Sequence, residues 1–181
     1  MSKVILYIAT TIDGKIARND GSLDWLFNIP NPNQSDYGYQ AFYDTIGVTF
    51  MGRRTYEEIL GFGVDWPYQG IESYVISQQQ DFSVSTPDTF LLTNDIVEFV
   101  NQKRLECDKD IWLIGGGELI TFFLNHQLID QMQLTIAPTI IGDGISLFPN
   151  QPMETLWSLS VTVPYPSGIV TLIYDKYVDL N

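Results

Sequence analysis

The sequence is poor in the residues that bind transition metals and form disulfides. Its 181 residues include one cysteine, Cys107, and one histidine, His126. A lone cysteine cannot form an internal disulfide, and a single imidazole beside it is too little for the usual thiolate and histidine metal sites. We therefore expect no metal centre, and a chain that works in a reducing compartment such as the cytoplasm.

Positive charge and long apolar runs are also scarce. Nine Lys and Arg residues face 22 Asp and Glu residues, which gives a formal net charge of −13. So acidic a surface repels nucleic acids and anionic membranes, and we expect neither as a partner. No apolar run approaches the roughly 20 residues of a membrane span, and the first residues lack a signal-peptide pattern. The length and the hydrophobic share of 45% predict one globular domain over residues 1–181.

Strand and helix patterns alternate along most of the chain. Apolar runs of strand length are separated by segments with helical spacing, and they cover residues 4–9, 47–51, 73–77, 89–92 and 111–114. Such alternation requires right-handed crossovers and predicts an α/β fold with a largely parallel sheet. Near the end, further strands are predicted at residues 132–138, 156–163 and 169–178, and the last two form an antiparallel hairpin at one edge.

Three consecutive glycines, residues 115–117, stand between a buried strand and the helical segment 119–124. Glycine lets a backbone approach an anion closely, and the first amides of a helix have no acceptor within the helix. The junction is therefore either a phosphate cradle or a plain strand-to-helix turn. Its spacing is neither the dinucleotide fingerprint nor a P-loop, so both interpretations stay open.

A second strand-to-helix junction carries positive charge. Gly52, Arg53, Arg54 and Thr55 follow a buried strand and begin a helix. The planar fork of arginine suits phosphate, and cations at a helix start oppose the helix dipole, so their placement favours an anion site over simple solvation. In open parallel sheets, ligands bind beyond the carboxyl ends of the strands, where both glycine junctions and Ser77 fall.

Two residues near the start have a structural and a functional interpretation. Trp25 follows two Asp-Gly turns, and it is either a core residue or a cover over a ligand. Asp36 stands at an N-cap position before a helix with one apolar face, formed by Tyr39, Phe42, Tyr43 and Ile46. If Asp36 faces a cleft instead, its carboxylate suits a ring nitrogen or a sugar hydroxyl, or proton transfer.

Several motifs together resemble the dihydrofolate-reductase-like superfamily over nearly the whole chain. Residues 9–25 are similar to the S-x-D-G-K-x-A…G-x-S-x-W pattern of the riboflavin-biosynthesis reductase domain. Residues 51–56 resemble the M-G-R-x-T-[WY] motif of dihydrofolate reductase, and residues 137–144 resemble the riboflavin branch again. The resemblance, closest to the C-terminal reductase domain of riboflavin biosynthesis, implies a three-layer α/β/α fold with a mostly parallel central sheet and a C-terminal antiparallel hairpin.

The resemblance also implies a cofactor, NADPH, lying across the carboxyl ends of the strands. Its phosphates would meet two groups of residues: Gly52, Arg53, Arg54, Thr55 and Ser77 in one, and Ile114, Gly115, Gly116, Gly117, Glu118 and Leu119 in the other. Its nicotinamide would lie near Ala9, Asp13, Gly14 and Ile16. These residues are the predicted cofactor site.

The implied activity is hydride transfer from NADPH to a C=N or C=O bond. The substrate would be pterin- or folate-like, as for dihydrofolate reductase, or pyrimidine-riboside-like, as for 5-amino-6-(5-phosphoribosylamino)uracil reductase. Asp36 would orient substrate or relay a proton, Trp25 would cover the site, and Lys15 would steady a developing negative charge. A homodimer would form through Leu134, Ile136 and the late hairpin. The alternative is a nucleotide-binding or regulatory protein without turnover on the same fold.

Overall fold

The computed structural model describes residues 1–177, in which ten strands and five helices follow one another. The strands are β1 (Val4–Thr11), β2 (Lys15–Ala17), β3 (Ile46–Gly52), β4 (Glu72–Ile76), β5 (Thr89–Leu92), β6 (Asp110–Gly115), β7 (Gln131–Ala137), β8 (Ile145–Ser146), β9 (Trp157–Pro164) and β10 (Val170–Lys176). The helices are α1 (Asp24–Phe27), α2 (Tyr39–Tyr43), α3 (Arg53–Gly61), α4 (Ile96–Glu106) and α5 (Gly117–Asn125). Val178, placed in the last strand by the sequence pattern, lies outside the described residues.

Eight of the strands form one sheet in the order β5-β4-β3-β6-β1-β7-β10-β9. The first six strands in this order are parallel to their neighbours, and β10 runs antiparallel to both β7 and β9. Val4 and Leu6 on β1 are completely buried, as expected for a strand in the middle of a sheet covered on both faces. The predicted parallel sheet with a late hairpin is confirmed.

Helices cover both faces of the sheet, because the side chains of a strand alternate between its two faces. On one face, Leu6 and Leu113 pack with Val100 of α4 and Phe123 of α5. On the other face, a second core includes Phe42 of α2, Tyr56 and Ile59 of α3, and Trp112 of β6. The result is the three-layer α/β/α arrangement that the resemblance implies. Within residues 1–177, no helix is long and apolar enough to cross a membrane.

Two local predictions were wrong, and one short element was missed. The short helix α2 ends at Tyr43, and Ile46 begins β3 instead of continuing the apolar face of the helix. The N-cap of α2 is Gly38, whose φ of 84° is left-handed, and not Asp36. The strand β8, which pairs with β2 in a small antiparallel ribbon, was not predicted. A strand of two residues is too short to leave a periodic signal in the sequence.

Candidate functional site

The central strands β1 and β6 separate before they reach the carboxyl edge of the sheet. β1 pairs with β6 only through Val4–Leu6 opposite Ile111–Leu113, whereas its pairing with β7 continues to Thr11. Tyr7 turns its carbonyl toward β6 and accepts a hydrogen bond from the indole Nε1 of Trp112 at 3.0 Å. Because backbone groups alternate in direction along a strand, the N–H and C=O of Ala9 face the same opening. The separation exposes polar backbone groups beside Ala9.

The two glycine junctions meet at this opening. A Cβ added to Gly52 would lie 3.8 Å from the carbonyl oxygen of Gly115 and 3.9 Å from the nitrogen of Gly116. A Cβ on Gly116 would lie 3.3 Å from Thr55 Oγ1. Gly115 has a φ of 126°, which side chains other than glycine rarely adopt, and its peptide bond to Gly116 is cis. Two junctions predicted separately from the sequence are therefore one backbone cradle.

Two helices of nine residues begin at this cradle without a side-chain cap. Gly52 precedes α3 and Gly116 precedes α5, and neither helix start receives a hydrogen bond from a capping side chain. Their first amides therefore lack acceptors within the helices and carry the positive ends of the dipoles. Such paired helix starts favour a negatively charged group.

The two arginines differ in how they are held. Arg53 Nη1 donates to both carboxylate oxygens of Glu57, at 2.9 and 2.8 Å, and its guanidinium lies 5.8 Å from the centre of the Phe82 ring. Arg54 is exposed and makes no ion pair within residues 1–177. Among the described residues, Arg54 interacts only with the more distant charge of Glu58, whereas Arg53 would have to leave Glu57 to bind an anion.

Ser77 lies just beyond the carboxyl end of β4, as the sequence predicts. It is buried, and its hydroxyl accepts a hydrogen bond from the amide of Gln79 at 3.0 Å. The hydroxyl proton stays available to a ligand. The side chain of Leu119 packs into the first core and that of Ile114 packs against the second. Their contribution to the cradle would therefore come from their backbone groups. Glu118 is exposed in the first turn of α5, where its charge suits the helix dipole.

Gly117 faces protein instead of the cradle. A Cβ there would lie 2.4 Å from the carbonyl oxygen of Ser146 and 3.0 Å from Pro149 Cδ. The glycine is therefore required for close packing of α5 against the β2–β8 ribbon. Lys15 on the same ribbon donates from Nζ to Ser146 Oγ at 3.1 Å, so its ammonium lies on the α5 side of the opening.

The Asp13-Gly14 turn is fixed by hydrogen bonds of the aspartate. The Asp13 carboxylate accepts from Thr11 Oγ1 at 2.6 Å and from the amides of Gly142 and Ile141 at 2.8 and 3.3 Å. The bond from Thr11, followed by those from the two amides, lowers the pKa of Asp13. Gly14 has a φ of 72° with open space around its Cα, and Ile16 packs against a core. Asp13 therefore shapes the loop, and Gly14 offers the accessible backbone.

Trp25 and Asp36 are both committed to local structure. Trp25 is 3% exposed, and its indole Nε1 has no hydrogen-bond partner among the described residues. The exposed Asp36 carboxylate accepts from the amides of Gln40 and Gly38, both at 3.0 Å, and these bonds lower its pKa. Asp36 thus stabilises the start of α2 although it is not the N-cap. Their predicted catalytic roles stay predictions.

The sequence analysis missed a group of tyrosines beside Ala9. Tyr7 shares a face of β1 with Ala9, and its ring stacks on Phe42 of α2 at 4.0 Å. Tyr165, in the turn of the late hairpin, donates from its hydroxyl to the carbonyl of Tyr37 at 3.0 Å. A tyrosine within a strand and one within a turn carry no motif. Only the Tyr-Pro-Ser-Gly turn at the predicted sheet edge hinted at Tyr165.

The family follows from residues 69–171, which match the model of the RibD C-terminal domain. This match spans more than half of the chain. The chain belongs to the RibD C-terminal domain family. It is also 34% identical to the uncharacterized protein YwjB of Bacillus subtilis over 167 residues, which cover 92% of this chain and 94% of that protein.

Solved structures agree with membership of the RibD C-terminal domain family. A putative riboflavin biosynthesis protein from Shewanella sp. PV-4 has a TM-score of 0.87 at 30% identity, over 97% of this chain and 99% of that one. Dihydrofolate reductase from Enterococcus faecalis, complexed with NADP(H) and RAB-propyl, has a TM-score of 0.70 at 18% identity and covers 97% of both chains. The second likeness shows a shared fold. The predicted superfamily, branch and fold are confirmed.

An open groove of this RibD C-terminal domain family member lies elsewhere, on α4 and α5. It follows the start and outer face of α4 and includes Phe122 of α5. Asp95 and Glu98 line it, and no Lys or Arg does. A groove with that charge does not suit the phosphates of a nucleotide. The glycine cradle is the better candidate site because it combines the uncapped starts of two helices, an exposed arginine and an open stretch of β1.

Proposed function

We propose that the protein is an NADPH-dependent reductase that works in the cytoplasm and transfers hydride to a C=N or C=O bond of a small heterocyclic or sugar-like substrate. The observation that carries the proposal is the cradle where the uncapped starts of α3 and α5 meet, next to the open edge of β1. The family and its reductase-like fold support the same activity.

The cradle fits a dinucleotide because it offers contacts at both ends of an elongated anion. The amides that follow Gly52 and Gly116, together with Arg54 and Ser77, would bind the phosphates. The backbone N–H and C=O of Ala9 would orient the nicotinamide ring through its carboxamide. When bound, the cofactor supplies the hydride. The chain contributes by placing the reactants together and keeping water out.

The test of this proposal compares NADPH with NADH. Calorimetry should give a micromolar dissociation constant for NADPH. Replacing Arg53 and Arg54 by alanine should weaken NADPH more than NADH, by roughly 1.5–3 kcal/mol for charged hydrogen bonds to the extra phosphate. Lys109→Ala is a matched control, because Lys109 donates to the Asp44 carbonyl away from the cradle. Absence of heat and of a thermal shift with NADPH would refute the proposal.

A second candidate function is nucleotide binding without turnover. All three predicted catalytic side chains already have structural roles: Asp36 accepts from backbone amides, Lys15 donates to Ser146, and Trp25 is buried. We infer that a regulatory protein would keep the cradle but would not need these three side chains to be available for catalysis. A panel of pterins, folates, pyrimidine ribosides and nitro compounds separates the two functions. NADPH binding without NADPH oxidation across that panel supports the second.

We also propose that the protein forms a homodimer through the late hairpin. Strand β9 is the edge of the sheet, and its Leu159 and Val161 are 53% and 42% exposed. Edge strands with exposed apolar residues are open to pairing with another chain. The partially buried Leu134 and Ile136 on β7 lie behind β10 and would support the interface. Neither nucleic acid nor membrane is proposed as a partner, since the net charge is −13.

A further inference from the structure

The four tyrosines beside the opening come from three separate parts of the chain. Tyr7 lies on β1, Tyr39 on α2, Tyr37 in the segment before α2, and Tyr165 in the hairpin turn. The Tyr7 and Tyr39 rings are 6.3 Å apart, and the Tyr37 and Tyr165 rings meet edge to face at 4.9 Å. We call these four residues the tyrosine cluster. They surround the face of β1 that also carries Ala9.

The cluster presents hydroxyl groups that the protein does not use. Within residues 1–177, the hydroxyls of Tyr7 and Tyr39 make no hydrogen bond, and the buried hydroxyl of Tyr37 has no partner. Burial raises the pKa of Tyr7 to about 12, with further contributions from the nearby Tyr165, Tyr39 and Asp36. Burial also raises the pKa of Tyr39, so the hydroxyls of Tyr7 and Tyr39 keep their protons at neutral pH and act as hydrogen-bond donors. Aromatic rings with free donors suit a planar ring that carries carbonyl or ring-nitrogen acceptors.

The charge around the tyrosine cluster is negative. Asp36 lies close enough to act on the pKa of Tyr7, and hydrogen bonds from two amides keep its carboxylate ionised. An anionic group on a ligand would be repelled here unless a cation stood nearby. The chain has nine basic residues that could supply such a cation.

The basic residues are engaged elsewhere or lie on the cofactor side. Carboxylates hold Lys3, Arg18, Arg53, Lys103 and Arg104, and backbone carbonyls hold Lys109 and Lys176. The other two are Lys15, bound to Ser146 on the ribbon against α5, and Arg54, in the first turn of α3. Within the described residues, the tyrosine cluster has donors for a neutral ring and no cation for a phosphate.

We propose that the tyrosine cluster binds an uncharged heterocycle that carries an unphosphorylated sugar or no sugar at all. This inference rests on the proposed function, because the cluster is the substrate site only if the nicotinamide lies at Ala9. It separates this protein from enzymes that reduce a phosphoribosyl compound. The reaction that supplies its substrate would then be one that yields a dephosphorylated or free heterocycle.

A matched pair of ligands tests the inference. The probes are 5-amino-6-(5-phosphoribosylamino)uracil and the same compound with its phosphate removed, titrated by calorimetry into the full chain saturated with NADP⁺. The oxidised cofactor prevents turnover, so the readout is binding alone. We expect the dephosphorylated probe to bind at least about tenfold more tightly, since the phosphate faces a like charge.

Variants locate the binding on the cluster. Tyr7→Phe keeps the stacked ring and removes one donor, so it should weaken the dephosphorylated probe about three- to tenfold. Tyr43→Phe is the matched control, because the Tyr43 hydroxyl already donates to the Pro67 carbonyl at 3.0 Å and is not free for a ligand. It should leave the affinity unchanged. Near-ultraviolet circular dichroism checks that both variants keep the native packing.

The outcomes separate the two claims. If NADP⁺ does not bind, the proposed function fails and the inference fails with it. If NADP⁺ binds but the phosphorylated probe binds equally well or more tightly, only the inference is wrong. The inference also fails if neither probe binds the NADP⁺ complex, or if Tyr7→Phe and Tyr43→Phe have equal affinity.

Discussion

At the scale of single residues, neighbouring glycines have different roles. Gly115 adopts a backbone conformation that residues with a side chain rarely adopt. A Cβ added to Gly116 would lie 3.3 Å from Thr55 Oγ1. Gly117, the next residue, faces the ribbon and has no room for a side chain. A run of identical residues therefore combines an open cradle with close packing.

Gly117→Ala should destabilise the protein. Its methyl group would overlap the Ser146 carbonyl, and displacing this ribbon backbone should cost roughly 1–3 kcal/mol of unfolding free energy. Gly61→Ala is the control, because an added Cβ there meets nothing within 4 Å and alanine favours a helix. Urea denaturation measures both. Equal stability of the two variants would show that the ribbon moves aside at no cost.

Residue types were easier to predict than residue environments. Gly52, Arg54 and Ser77 lie at the carboxyl ends of strands as expected, because strand periodicity and turn chemistry are local signals. That Asp13 accepts three hydrogen bonds was not predictable, since two of its donors lie about 130 positions away in the chain. The tyrosine cluster was missed for the same reason. Its members meet only after the sheet has formed.

At the scale of elements, the β2–β8 ribbon depends on the Asp13 carboxylate. This side chain connects the turn after β1 to the loop between β7 and β8 through Ile141 and Gly142. The sequence predicted both loops as separate turns. The two loops are connected because β2 and β8 pair in the ribbon, and a strand of two residues leaves no recognisable pattern in the sequence. The late hairpin, in contrast, was predictable from its Pro-Ser-Gly turn.

Asp13→Asn should make the thermal stability of the protein less dependent on pH in acid. The pKa of Asp13 is lowered from 3.8 in the folded chain, so its contribution is full above 3.8 and is lost as the pH falls through the folded value. The wild type should therefore lose more thermal stability below about pH 4 than the variant does. Asp108→Asn serves as the control, because its carboxylate accepts no hydrogen bond within residues 1–177. Parallel curves for wild type and Asp13→Asn would contradict the assigned role.

At the scale of the whole molecule, the acidic chain carries exposed apolar residues on the edge strand β9. The net charge of −13 keeps copies apart through long-range repulsion, while the exposed strand β9 offers a place for two copies to join. A dimer there would bury Leu159 and Val161 and cover the β9 edge of the sheet.

Sedimentation tests the dimer directly. The wild type should sediment at twice the chain mass of 20.6 kDa, and more completely at higher salt because repulsion is screened. Leu159→Glu should yield monomers by placing a charge in the interface. Gln80→Glu, which adds the same charge in the exposed segment between β4 and β5, far from β9 in the sheet order, should leave the dimer intact. A monomer mass for the wild type would show that the proposed interface does not form.

The early separation of β1 and β6 divides the sheet into two plates of four strands. One plate holds the glycine cradle, and the other holds Ala9, Tyr7 and Tyr165. Only three residue pairs of the ladder join the plates, compared with seven between β1 and β7. The pair of neighbouring strands with the fewest paired residues, β1 and β6, thus lies directly beneath the candidate site. A small twist between the two halves would change the distance between the cradle and Ala9 without breaking the hydrogen bonds within either half.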